Sequence, residues 1–264
     1  MALKLSASLR NAAMESQDIK HAMSNCVLKV YTGSQPATAE AAPTGTLLCT
    51  YTSSAGTPTR EVRAQGKVTF SGTVASATCT GITVNSIQIM SGTVTDATGV
   101  LADFATAVAA NINNNPKNQL FDASASAGVV TLTAKPGIGI LTGVSNGVVV
   151  SAVTTISSAD VDIGALTVGV TALNGLQWGD SAAGVLSKLS TQTWSGTAVA
   201  SGTAGWCRFE AAVADAGALD SSEAVHRIDG SVGTSGAELN MGLLTITSGV
   251  VQNISSFTLT LPTA

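Results

Sequence analysis

Residues 201–212 read SGTAGWCRFEAA, and from 205 to 213 the side chains alternate. Cys207, Phe209, Ala211 and Val213 fall on one side and Trp206, Arg208 and Glu210 on the other. A period of two is that of a β-strand, and it predicts that the first set turns toward a core. Downstream, HRIDGSVGTSGAELNM (226–241) reads as a strand ending at Ile228, a tight turn at Asp229 and Gly230, and a flexible loop over SVGTSG. Upstream, CVLKVYTG (26–33) alternates in the same way, Cys26, Leu28 and Val30 against Val27, Lys29 and Tyr31.

Working outward, TLLCTY supplies a further strand before the charged junction TPTREVRA, and short β-like runs separated by Gly and Ser resume after Thr171. Two early strands are too few to fold alone, so residues 26–63 are expected to pair with 171–264. Between them, DATGVLADFATAVAANINNNP places Leu101, Phe104, Ala105, Val108 and Ile112 on one helical face, with Asp96 or Thr98 as the cap and Pro116 past the end. Strands flank this helix on both sides, which predicts one sheet covering it. The expected fold is therefore mainly β. It is an antiparallel β-sandwich or jelly-roll-like domain (26–63 and 171–264) with an inserted small α+β domain (64–170) and an amino-terminal helix or arm (1–25).

The composition narrows the function classes. Of 264 residues only 11% are charged and 4% aromatic, while Gly, Ala, Ser and Thr abound. Such a surface is neutral and easily buried against other protein, which favours a subunit of an assembly. The net charge of -4, with 12 scattered basic residues, argues against binding nucleic acid, which needs clustered Lys and Arg. Charges at Lys4, Arg10, Glu15, Asp18 and Lys20 interrupt any signal-peptide core, and no apolar run is long enough to span a bilayer, so synthesis in the cytoplasm and no membrane partner are expected.

Catalytic chemistry finds little support. No GxSxG elbow, GxGxxG loop or P-loop is present, and His226 near Asp229 reads as a local polar contact. Glu210, Asp215, Asp220, Glu223 and Asp229 match no calcium loop and read as a solvated loop face. Cys26, Cys49, Cys79 and Cys207 form no CxxC pair, so no zinc site is expected. They read either as buried free thiols or as partners in disulfides formed outside a reducing cytosol. No catalytic residue, cofactor or metal is assigned, and the chain is expected to be non-enzymatic.

The motifs LKVYTGSQPATAEAAPTGTLLCTYT, GTAGWCRFEAAV, HRIDGSVGTSGAELNM and VQNISSFTLTLP, in this order, resemble a family of small β-rich virion structural proteins of tailed bacteriophages, over roughly residues 1–55 and 190–264. The middle segment resembles a separate phage head or tail module and departs from the shorter family pattern. The resemblance implies a jelly-roll capsid decoration or cement protein on the capsid exterior, made in the host cytoplasm. Its implied partners are the major capsid protein and further copies of itself in a homo-oligomer or multi-copy lattice. Under this reading Leu5, Leu9 and Ile19 of the arm, with Trp178 and Trp194, form the interface. A tail or baseplate component is the alternative in the same class. A virion module binding a cell-surface glycan, through loops such as SVGTSG, is the alternative from another.

Overall fold

The structure is a computed structural model that describes residues 3–15, 18–72, 76–84, 87–118, 120–135, 148–154, 161–163, 169–221 and 225–260. It is mainly β and its strands pair almost entirely antiparallel. The chain divides into two compact units, Met1–Glu61 with Thr171–Ala264, and Val62–Val170.

The first unit is organised by a nine-stranded sheet. Gly202–Glu210 lies near its middle, pairing with Arg227–Gly233 on one side and Val27–Thr32 on the other. The ladder continues through Leu47–Ser53 and Trp194–Thr197 to an outer strand, Val251–Ile254. At the opposite end the two-residue strands Lys4–Leu5 and Leu239–Asn240 both join Arg227–Gly233, the second of them in parallel. The alternation holds over 206–211, whereas Val213 lies beyond the strand and is only half-buried. Cys207, Phe209 and Ala211 enter the core with Cys26, Leu28, Val30, Cys49, Tyr51 and Ile228. The helices Ala7–Glu15 and Ile19–Ala22 lie on this face through Leu9, Ala22 and Met23. Rings of Trp178, Trp194, Phe209 and Phe257 fill it, with centroids 4.9–6.1 Å apart.

The expected turn at Asp229 and Gly230 is not formed, because Arg227–Gly233 is one continuous strand through both residues. Gly230 serves close packing instead: a Cβ there would lie 2.9 Å from Glu238 Cβ. Gly196 has the same role more severely, since its Cβ would meet the Thr50 carbonyl oxygen at 2.0 Å.

The second unit holds two four-stranded sheets where one was expected. In one, Ala77–Val84 pairs with Val148–Thr154, Ile87–Gln88 and Val94–Asp96. In the other, Gln65–Phe70 pairs with Val129–Ala134 and Val161–Ile163, and Phe121–Ser126 closes the far side. The helix Leu101–Asn113 buries Phe104, Ala105, Val108, Ala109 and Ile112 against them, with the Phe104 and Phe70 rings 4.7 Å apart. Neither Asp96 nor Thr98 caps it: Val100 holds the cap position without a side-chain bond, and Thr98 Oγ1 accepts from Val100 N one step earlier. Asn113 fastens helix to strand, donating to the Ala123 carbonyl and accepting from its N–H, each at 2.8 Å.

Candidate functional site

The face of the first unit's sheet opposite the core is a buried layer of charge. Tyr31 stacks on Trp206 at 4.5 Å, and beside them Arg208 grips Asp229 through Nε and Nη2, both bonds 2.7 Å, with neither side chain exposed. Arg227 grips Asp215 the same way at 2.6 Å. Glu210 lies between Lys29 at 2.7 Å and Arg60 at 3.0 Å. Alternation on the strands creates this layer, since Arg208 and Glu210, and Arg227 and Asp229, are each two residues apart.

Main-chain carbonyls complete it. Arg208 donates to Ala41 O, Arg227 to Ala39 O, Glu40 O and Ala218 O, and Trp206 Nε1 to Thr44 O. The loop between Thr32 and Leu47 is thus strapped over the charged face, and Ala7 N donates to Glu40 Oε1 to tie the amino-terminal segment to it. A buried ion needs such partners, because its desolvation is otherwise uncompensated.

The acidic cluster is therefore corrected: Glu210, Asp215, Asp220 and Asp229 are buried, and Glu223 lies outside the described residues. Burial pushes Asp215 upward, but the hydrogen bonds from Arg227 and Gly217 N outweigh it and hold the carboxyl below the usual range. For Asp229 burial prevails over the Arg208 fork and pushes the carboxyl up. Asp229 gives both oxygens to Arg208, so it is an ion-pair partner rather than the orienting acid of a His226 dyad.

The four cysteines are free and buried. Burial pushes Cys26 up to about 12 and Cys49 up to about 11, which keeps both as thiols. Val30 pairs with Cys49 on one side and Cys207 on the other. Those two cysteines are thus two strand spacings apart, roughly 10 Å, beyond the reach of a disulfide. Among the described residues no three His, Cys, Asp or Glu side chains converge as metal ligands, and no helix is long and apolar enough to cross a membrane.

The sequence-derived interface residues are placed differently from expectation. Leu9, Trp178 and Trp194 are buried in the protein's own core, and Leu5 and Ile19 pack partly buried against it. Trp178 Nε1 donates to Met23 O and Trp194 Nε1 to Gln192 Oε1. The apolar area of Leu9, Trp178 and Trp194 is thus already covered from within the chain. Of the SVGTSG stretch, Ser231–Gly233 belong to the strand, with Ser231 and Val232 buried, while Thr234, Ser235 and Gly236 form an exposed bend. What faces solvent instead is aliphatic: Val199, Leu219, Leu243, Val250 and Val251 are all exposed.

No protein-family model, curated protein or solved structure matches the chain.

Proposed function

We propose that the chain is a non-enzymatic structural protein of a tailed-bacteriophage virion, a decoration or cement protein that binds the outside of the major capsid protein shell and stabilises it. In this reading the first unit is a discontinuous jelly-roll-like framework and residues 62–170 are an insertion carried by it. The observation that carries the proposal is a buried layer of charge in the first unit together with exposed aliphatic side chains. Its sheet buries Arg208, Arg227, Glu210 and Asp229 on one face, with Asp215 of a neighbouring loop paired to Arg227, while Val199, Leu219, Leu243, Val250 and Val251 are exposed. Buried charge is the informative departure from an ordinary soluble domain, and the exposed aliphatic side chains offer apolar area that contact with other protein would cover. The motif resemblance supplies the class of partner.

The mechanism is mass action: a protein that binds only the intact shell raises the temperature at which the shell comes apart. Empty shells lacking this protein are heated with and without it, and light scattering follows their disruption. A rise in disruption temperature that saturates with added protein is expected. An unchanged temperature at saturating protein removes the cement role.

A further inference from the structure

The two ends of the nine-stranded sheet are finished differently. At one end the outer strands are only two residues each, and Lys4 lies in one of them with its ammonium donating to Pro36 O. Short edge strands and lysines are ways proteins keep sheet edges from pairing with other chains. At the other end Val251–Ile254 pairs with Trp194–Thr197 alone among the described residues. From Leu239 to Ala264 the sequence has no Asp, Glu, Lys, Arg or His, and Val251–Ile254 has no proline. Val251 is 54% exposed, and Val250 (48%) and Val199 (64%) extend the apolar surface at the start of the strand.

The hydrogen-bond phase fixes which backbone groups remain free. Ala198 N donates to Val250 O, so along this antiparallel ladder Val250, Gln252 and Ile254 direct their backbone groups inward. Val251 and Asn253 direct theirs outward. We infer that Val251–Ile254 pairs edge to edge with the same strand of a second copy of this chain, antiparallel about a two-fold axis at Gln252. Val251 of each copy then stands opposite Asn253 of the other, and the outward N–H and C=O groups of those two residues form four main-chain hydrogen bonds. Gln252 meets its own symmetry mate on the opposite face of the sheet.

The occupant is a second copy for two reasons. A two-fold interface requires a patch complementary to itself, and this free donor and acceptor pattern is so about Gln252. The edge also carries no charge to repel its own copy. The inference rests on the sheet edge and is independent of capsid binding.

The full chain is measured by sedimentation equilibrium at micromolar concentration beside two variants. Asn253→Pro removes an outward N–H while leaving the inner ladder intact. The double variant Val251→Lys with Asn253→Lys sets like charges opposite each other across the axis. Wild type is expected at twice the chain mass and both variants at the chain mass, with unchanged thermal midpoints in dilute solution. A monomeric wild type overturns the inference, as does a double variant that remains dimeric. If Asn253→Pro loses its fold, the double variant alone decides.

Discussion

At the scale of single residues, the Arg208–Asp229 pair is the most consequential contact in the first unit. With neither side chain exposed, removing one partner strands a buried charge. Asp229→Asn should therefore cost about 3–5 kcal/mol in urea denaturation, whereas Arg208→Met combined with Asp229→Leu should recover most of that loss. A single variant as stable as wild type would show that the pair is not buried as described. Asp215 sets a pH dependence. Its folded pKa lies below the unfolded value of about 3.9, so its stabilisation is present above that pH and is lost as pH falls through the folded value. Asp229, shifted upward, acts in the opposite sense. Asp215→Asn should thus be less stable than wild type at neutral pH and lose less on acidification, measured as urea midpoints from neutral to acid pH. The buried cysteines should resist a thiol reagent in the folded protein and react together on unfolding.

At the scale of elements, Gly196 and Asn113 show how strands and helix are held. Gly196→Ala drives a Cβ into the Thr50 carbonyl, where only backbone can yield, and should cost about 1–3 kcal/mol by thermal melting. This scale also shows what was legible in the sequence. The β class and the core faces of 26–30 and 207–211 followed from alternation, and the helix Leu101–Asn113 from its apolar spacing. Glu210 and Asp229 were misread as part of a solvated loop face, since period-two patterning tells which residues share a face but not whether a loop covers it. Asp229-Gly230 looked like a turn because its residue types favour one. Its pairing with Arg208-Cys207, some twenty positions away, is a long-range contact that no local pattern contains. Trp178 and Trp194 looked like anchors for a partner, but an aromatic side chain suits a core as well as an interface. The Val251–Ile254 edge escaped notice because four residues with one polar pair give little periodicity.

At the scale of the whole molecule, two separate cores define two places where damage can fall. All three tryptophans, Trp178, Trp194 and Trp206, lie in the first unit. Phe104→Ala, which opens a cavity in the second unit's core, should lower a calorimetric transition by about 3–5 kcal/mol of stability and leave the tryptophan fluorescence transition in place. The buried charge layer and the exposed aliphatic side chains belong to this scale too, since side chains such as Val199, Leu219 and Leu243 offer apolar area for burial against other protein. The central claim is that this surface meets a capsid shell. The most direct test mixes purified protein with empty capsids that lack it, pellets the particles and counts bound copies per capsid subunit. The account predicts saturation at a fixed, stoichiometric ratio to the capsid protein. Protein that stays in the supernatant at every concentration, or binds only a few copies per particle, would contradict it.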